Sequence, residues 1–240
     1  MKIDNDVFTH RQMPIFLEKS RILTDYLQDL SYDELKSIWK CSDNLAKYNF
    51  DIIRNLDLYN NLTPAILSYE GLQYQHMAPG IFTYEELDYM EEHLRILSGF
   101  YGILRPFDGI VPYRLEMQAK LLDWEHKSLY EFWNDKIAKS IFSESRYIIN
   151  LASKEYSKCI LKYLTGDIKI ITCLFGELIN GKVIEKGTLA KMARGEMVRF
   201  MAENHVKCIE ELKYFDRLGY SYSHKLSNEN TYIFIKNREE

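Results

Sequence analysis

The segment from Leu94 to Met117 constrains the fold more than any other part of the chain. Its sequence, LRILSGFYGILRPFDGIVPYRLEM, places three glycines, two of the chain's five prolines, three arginines and two acidic residues among apolar side chains. Gly and Pro interrupt the helical hydrogen-bond pattern, and charged groups are costly to bury without partners. Core helices therefore lack this composition. The segment is typical of a turn or loop that shapes a site.

The composition is that of a globular protein. The chain has 240 residues, of which 46% are hydrophobic and 28% charged, so it is long enough to bury a full core. No apolar run approaches the roughly 18 residues of a membrane span, and the N-terminus lacks an apolar signal core. The four cysteines and six histidines show no metal-ligand spacing. We therefore expect a cytoplasmic protein with no membrane partner, no metal and no cofactor.

Charge is distributed unevenly along the chain, although the formal net charge is only −4. Between Asp51 and Glu92, eight acidic residues stand against one arginine, whereas Lys186 to Arg199 contains four basic residues and one glutamate. This polarity permits a basic groove on an acidic molecule.

Periodicity and capping signals predict helices in the first half and a mixture of helices and strands in the second. The predicted helices span Pro14 to Leu30, Ser31 to Trp39, Asp43 to Leu58, Thr83 to Gly99, Ser128 to Ile137 and Thr188 to His205. The predicted strands span Ala65 to Tyr69, Tyr147 to Leu151, Ile168 to Phe175, Tyr220 to Ser223 and Tyr232 to Lys236, with a hairpin turn at Asn180-Gly181. We expect a mixed α/β fold, a single compact domain over residues 1–240, with helices around a mixed or predominantly antiparallel sheet.

The segment Leu97 to Gly102 resembles the LxGxxG hairpin of helix-hairpin-helix modules. In such a hairpin, Gly99 and Gly102 would let the backbone approach a phosphate group. Pro106 would cut the second helix short. The alternative is a glycine helix cap followed by a tight turn, and both interpretations remain open.

The second cluster comprises Arg105, Asp108, Arg114 and Glu116. Arg105 and Asp108 could hold the loop together by a mutual ion pair. Arg114 and Glu116 stand two residues apart, so on a strand they would face the same side. A guanidinium can bind phosphate in a bidentate manner, and Glu116 is the candidate for acid–base catalysis.

Two further segments carry candidate binding residues. Asn150, Ser153 and Lys154 lie where a predicted strand meets a predicted helix, and Ser153 is the expected helix cap. All three are candidate pocket residues, together with Asp108. In the helix from Thr188 to His205, Lys191, Arg194 and Arg199 fall within a sector of roughly 140°. Gly195 lies in the interior of that predicted helix, where glycine is less favourable than alanine. Its presence there indicates either close packing or the close approach of a ligand.

These segments together resemble the bacterial YaaA peroxide-stress family. The resemblance rests on Leu94 to Met117 and on three further matches in the family's order: Asn150 to Tyr156, Ala190 to Gly195, and Arg199-Phe200 with Asn204. Gln118 stands where the family has a glycine. Members usually open with an apolar strand ending in Ser-Pro-Ala-Lys, and Met1 to Asp4 resembles the segment that follows it. We therefore expect a start assigned too late or a truncated gene, with roughly ten residues missing by comparison with the family.

The resemblance implies a DNA-binding protein that limits oxidative damage during hydrogen peroxide stress and is linked to intracellular iron. Gly99, Gly102, Arg105, Arg114, Lys191, Arg194 and Arg199 would contact DNA with weak sequence preference. The alternative is an enzyme that acts on nucleic acid or on a nucleotide-like, phosphate-bearing small molecule through a Glu/Arg/Lys pocket. Direct iron sequestration is a third, weaker hypothesis.

Overall fold

The computed structural model of the chain describes residues 1–3 and 8–237, so Asp4 of the opening segment lies outside the described residues. The helices are α1 (Leu17–Asp29), α2 (Tyr32–Trp39), α3 (Asp43–Arg54), α4 (Ala65–Ser68), α5 (Leu72–Met77), α6 (Tyr84–His93), α7 (Leu129–Trp133), α8 (Lys136–Glu144), α9 (Lys154–Leu161) and α10 (Gly187–Glu203). The strands are β1 (Thr63–Pro64), β2 (Ile96–Ser98), β3 (Gly102–Leu104), β4 (Gly109–Ile110), β5 (Tyr147–Asn150), β6 (Lys169–Ile179), β7 (Lys182–Ile184), β8 (Tyr220–Tyr222) and β9 (Thr231–Lys236). None of the helices in the described ranges combines the length and the apolar character that a membrane span requires.

The chain divides into two compact units, each assembled from separate segments. Unit 1 contains residues 1–69, 94–143 and 152–164, and unit 2 contains residues 70–93, 144–151 and 165–240. The predicted mixed α/β fold class is confirmed. A single domain over residues 1–240 stays a prediction.

Unit 1 is mainly helical and contains two short antiparallel strand pairs, β1 with β4 and β2 with β3. Ser31 and Glu34 form the predicted capping box at the start of α2, and the Ser128 side chain caps α7. Trp133, Tyr101, Phe100 and Phe107 are among the largest fully buried side chains of the chain. The segment Leu94 to Met117 therefore forms part of the core of this unit.

Unit 2 is built on a mixed sheet with the strand order β5-β6-β9-β8, and β7 also pairs with β6. β6 lies parallel to β5 and β9, whereas the β6–β7 and β8–β9 pairs are antiparallel. Asn180 and Gly181 both have positive φ angles at the β6–β7 turn, as the sequence predicted. Phe175, Phe215 and Phe234 pack with the buried face of α10 to form the core.

The helix predicted from Asp43 to about Leu58 ends at Arg54. Three further predictions of secondary structure were wrong. Ala65 to Tyr69 is not a strand but contains the helix α4, because the backbone N–H groups of Ala65 and Ile66 bond to the carbonyl groups of Asp108 and Pro106. The helix from Thr83 ends at His93 instead of Gly99, because the next residues pair as the β2–β3 hairpin. The helix from Ser128 is interrupted at Asn134, whose φ of 46° is left-handed.

Gly195 is explained by close packing between two helices of unit 2. A Cβ atom on this glycine of α10 would lie 2.1 Å from the carbonyl oxygen of Gln73 in α5. A contact that short with a backbone atom cannot be relieved by moving a side chain. The same approach brings Nδ1 of His76 to 3.1 Å from the carboxylate of Glu196.

We predict that Gly195→Ala destabilises the protein by roughly 1 to 3 kcal/mol, the usual cost of overpacking. Gly187→Ala on the same helix is the control, because its Cβ would meet no atom within 4 Å. Urea unfolding of both variants measures the effect. A Gly195→Ala protein as stable as the control variant would contradict the packing explanation.

Candidate functional site

The Gly99 to Gly102 turn is part of a β-hairpin, since strands β2 and β3 flank it where a helix-hairpin-helix module would have helices. Both glycines are buried. A Cβ on Gly99 would lie 2.5 Å from the carbonyl oxygen of Leu115, and a Cβ on Gly102 would lie 2.8 Å from the ring of Trp133. Gly102 also has a positive φ of 75°. The missing side chains are thus explained by packing within unit 1, and the phosphate contact of these glycines stays a prediction.

Hydrogen bonds fix this turn from both sides. The Ser98 hydroxyl accepts the N–H groups of Phe100 and Tyr101, and the Trp133 indole donates to the carbonyl oxygen of Gly99 at 2.9 Å. The Ser98 hydroxyl also lies 2.6 Å from that of Tyr113, and burial raises the pKa of this tyrosine well above its ordinary value. The hairpin is therefore a rigid support for the chain that follows it.

Arg105 and Asp108 lie in the loop between β3 and β4. Asp108 is 3% exposed, and its carboxylate accepts the backbone N–H of Arg105 at 2.9 Å. Arg105 itself is exposed. This geometry makes Asp108 a buried turn residue, whereas the side chain of Arg105 lies at the surface of unit 1.

Arg114 and Glu116 follow the hairpin and form an ion pair, with Nη2 of Arg114 at 3.1 Å from Oε1 of Glu116. The side chains are 31% and 52% exposed, respectively. Nε of Arg114 is buried and has no hydrogen-bond partner. Leaving such a donor unsatisfied costs about 1 to 3 kcal/mol. Because Nε itself is inaccessible, a ligand could reach Arg114 only through the exposed part of its side chain.

Glu155, which the sequence did not single out, lies beside this ion pair. Its Oε1 accepts the backbone N–H of Gln118 at 3.1 Å. Partial burial raises the pKa of Glu155, the Gln118 hydrogen bond opposes this shift, and the nearby charge of Glu116 adds to it. The signal available in the sequence was its place in the family match from Asn150 to Tyr156.

The other candidate residues of the match from Asn150 to Tyr156 each lie in a different environment. Ser153 is the N-cap residue of α9, as predicted, but its side chain makes no capping hydrogen bond. Lys154 is exposed at the first position of the helix in unit 1. Asn150 belongs to unit 2, where its amide donates to the Thr172 hydroxyl at 3.1 Å.

The basic residues of α10 differ in whether a glutamate binds them. Lys191 is exposed. Arg194 is only 12% exposed and pairs with Glu185 at 3.2 Å, while its Nε is buried without a partner. Arg199 donates from Nε to Glu203 at 2.6 Å. Two of the three predicted DNA contacts are therefore already neutralised in part.

Arg199 is one member of a larger ion-pair network in unit 2. Glu203 also binds Arg217, whose guanidinium reaches Glu196, and Glu196 in turn contacts His76. Burial alone would raise the pKa of Glu203, but hydrogen bonds from Arg199 and Arg217 outweigh it and lower the pKa. The Arg199–Glu203 pair was predictable from its i, i+4 spacing, whereas the sequence contained no local signal for the other members.

A cleft of about 500 Å³ opens beside Arg217 in unit 2. Its lining residues are Phe200, Asn204, Val206, Glu211, Tyr214, Asp216 and Arg217. Neither Glu116 nor Arg194 lines this cleft. Within residues 1–3 and 8–237, no group of three or more His, Cys, Asp or Glu side chains is placed to hold a metal ion.

The fold and these clusters define a mixed α/β protein whose candidate sites are built from arginine–carboxylate pairs. The chain belongs to the peroxide stress protein YaaA family, whose model matches residues 1–226. It is 52% identical over 234 residues to a UPF0246 protein of Agathobacter rectalis, covering 98% of this chain and 94% of the relative. It is also 52% identical over 237 residues to a UPF0246 protein of Pediococcus pentosaceus, with 99% and 94% covered. A third relative, from Lachnoclostridium phytofermentans, is 54% identical over 223 residues, with 93% and 88% covered.

We predict that the stability of Glu155→Gln relative to the wild type depends on pH. The folded state raises the pKa of Glu155 above its ordinary value of 4.5, so folding binds the proton more tightly. The wild type should therefore lose stability relative to the variant as pH rises from 4.5 through the folded-state pKa. Urea unfolding at several pH values measures this difference, with Glu18→Gln, an exposed glutamate of unit 1, as the control. A difference that stays constant with pH would contradict the raised pKa.

Proposed function

We propose that this member of the peroxide-stress family binds DNA through phosphate contacts and thereby limits oxidative damage, in a role linked to intracellular iron. The observation that carries the proposal is the exposed positive charge of the family segments. Lys191 in unit 2 is exposed, and the side chain of Arg114 in unit 1 is 31% exposed although Glu116 already binds it. Both belong to the segments that the sequence resemblance selected.

Phosphate is the acceptor that suits such groups. A guanidinium presents its N–H groups in a fixed planar fork that matches phosphate oxygens. Lys191 and Arg105 add exposed positive charge in units 2 and 1, respectively. Contacts of this type go to the nucleic-acid backbone and do not read bases, so the proposal includes weak sequence preference.

The carboxylates limit the affinity of this interaction. Glu185 and Glu116 compete with phosphate for Arg194 and Arg114, and Glu203 holds Arg199. With a formal net charge of −4, long-range attraction to DNA is also weak. Binding should therefore be moderate in affinity and sensitive to salt.

We predict that fluorescent duplex DNA binds with an affinity that falls linearly on a log–log salt plot. Arg194→Glu should weaken binding by about tenfold or more and reduce the slope by about 1. Lys191→Glu repeats the test at an exposed position that leaves the Arg194–Glu185 ion pair intact. Glu185→Gln should act in the opposite direction, because it releases Arg194.

Lys225→Ala serves as the control, since Lys225 is an exposed cation of unit 2 outside α10. It should leave both affinity and slope unchanged. If the wild type, Arg194→Glu and Lys191→Glu all bind DNA equally well, Arg194 and Lys191 are not DNA contacts and the assignment is overturned.

The link to peroxide and iron is tested in cells. A bacterial host without its own family member should survive hydrogen peroxide better when it expresses the wild type than when it expresses Arg194→Glu. A cell-permeable iron chelator should remove this difference if iron-dependent damage is what the protein limits. A protective effect that is the same for both proteins would separate peroxide protection from DNA binding.

A second candidate function is favoured by Glu155. Its raised pKa beside Glu116 resembles the paired carboxyl groups of acid–base enzymes, in which one group keeps its proton while the other is ionised. This supports the alternative of a pocket for a nucleotide-like small molecule in unit 1.

A further inference from the structure

We propose that the cleft beside Arg217 in unit 2 binds a ligand that carries a guanidinium group. The ligand is either a free guanidino compound or an arginine side chain of a peptide, two sources of the same chemistry. The seven predicted DNA-contact residues are all absent from the lining of the cleft. The inference therefore goes beyond the proposed function and does not depend on DNA binding.

The cleft has the size and the apolar base of a ligand site. Its volume of about 500 Å³ lies within the range of roughly 300 to 1,000 Å³ that is usual for ligand pockets. Phe200 and Val206 line it and are both buried members of the unit 2 core. The Arg217 guanidinium lies 5.6 Å from the centroid of the Phe200 ring. A ligand that enters the cleft therefore meets a base that the core holds in place.

Two side chains of the cleft, Tyr214 and Asp216, are set by the buried residue between them. Phe215 is extended, with φ of −63° and ψ of 121°, and its ring lies in the core. Consecutive side chains of an extended backbone point to opposite sides, so Tyr214 and Asp216 both point away from the core. The Tyr214 side chain is accordingly 76% exposed and lines the cleft. The cleft thus has an accessible aromatic ring next to an accessible carboxylate.

The charges of the cleft favour a cation. Its lining contains two carboxylates, those of Glu211 and Asp216, and one cation, Arg217. Arg217 is already neutralised, because its two terminal nitrogens bind Glu196 and Glu203. Asp216 makes no side-chain capping hydrogen bond and forms no ion pair within the described part of the chain. The carboxylates therefore outnumber the cations available to them in the cleft.

The hydrogen-bonding groups of the cleft are mainly acceptors. Glu211 accepts the backbone N–H groups of Lys207 and Cys208 at 2.8 and 3.5 Å. Both bonds use Oε2 of Glu211, so its Oε1 is the oxygen left for a further donor. The bond from the Lys207 N–H also lowers the pKa of Glu211, which keeps this carboxylate charged.

Asn204 adds one more acceptor. Its Nδ2 donates to the carbonyl oxygen of Phe200 at 2.8 Å, so the amide presents Oδ1 to the cleft. A guanidinium has five N–H donors, no acceptor and a flat face that stacks on aromatic rings. It therefore matches the acceptors Asn204, Glu211 and Asp216 and the ring of Tyr214 better than a neutral or anionic group does.

The test is a titration of the full chain, labelled with ¹⁵N, in which amide shifts are followed by NMR. N-acetyl-arginine amide should give saturable shifts at residues 214–217. N-acetyl-citrulline amide has nearly the same shape without the charge, and it should bind at least tenfold more weakly, as expected for loss of a charged hydrogen bond. Agmatine carries the guanidinium without the peptide groups. Tighter binding of agmatine than of N-acetyl-arginine amide assigns the site to a free guanidino compound, and the reverse order assigns it to a peptide arginine.

Matched variants identify the contacts. Asp216→Asn removes one charge at an exposed position and should weaken binding of N-acetyl-arginine amide by about tenfold. Tyr214→Ala removes the aromatic face and should weaken binding by about threefold. Glu229→Gln and Tyr84→Ala are the controls in unit 2, since Glu229 is exposed and Tyr84 is 83% exposed, and neither lines the cleft. Both control variants should bind as the wild type does.

Three results would overturn the proposal. The first is the absence of saturable shifts with either guanidinium probe. The second is equal binding of the arginine and citrulline amides, because the charge would then contribute nothing. The third is binding that Asp216→Asn and Tyr214→Ala leave unchanged in folded variants, since the guanidinium would then lie outside this cleft.

Discussion

The contact between Gly99 and the backbone of residues 115–117 determines the candidate site of unit 1. A Cβ at Gly99 would lie 2.5 Å from the carbonyl oxygen of Leu115, so only glycine permits this approach. The hairpin turn that carries Gly99 is itself fixed by Ser98 and Trp133. Because this rigid turn supports the chain at Leu115, Arg114 and Glu116 are placed beside each other and next to α9. The site thus depends on close packing of two backbone segments.

Glutamates hold two of the arginines that the sequence selected as phosphate contacts, Arg114 and Arg194. In both units, an arginine that the sequence selected as a phosphate contact is held by a glutamate and left with one unsatisfied N–H group. An arginine restrained in this way is preorganised, because its side chain has already lost much of its freedom before a ligand arrives. The same restraint lowers the net attraction for an anion. Directed hydrogen bonding, with modest electrostatic attraction, is the recognition that this arrangement favours.

Much of the local structure could be predicted from short patterns. The capping boxes at Ser31 and Thr83 start helices where expected, and Asn180-Gly181 forms the expected hairpin turn. These features depend on residues within four positions of each other. Predictions failed where distant segments supply the hydrogen bonds, as at α4, whose first N–H groups bond to the loop around Asp108. A local pattern does not contain that information.

The sequence by itself determined the mixed α/β class, most helix starts, the family and the set of charged residues from which sites can be built. Only the tertiary structure decided which of these charged residues pair with each other. It paired Arg194 with Glu185 and added Glu155 to the pair of Arg114 and Glu116. It also explained Gly195 by contact with α5 and Gly99 by contact with residues 115–117. The physical reason is that pKa values, ion pairs and close backbone contacts depend on distances between residues far apart in the chain, and these distances exist only after folding.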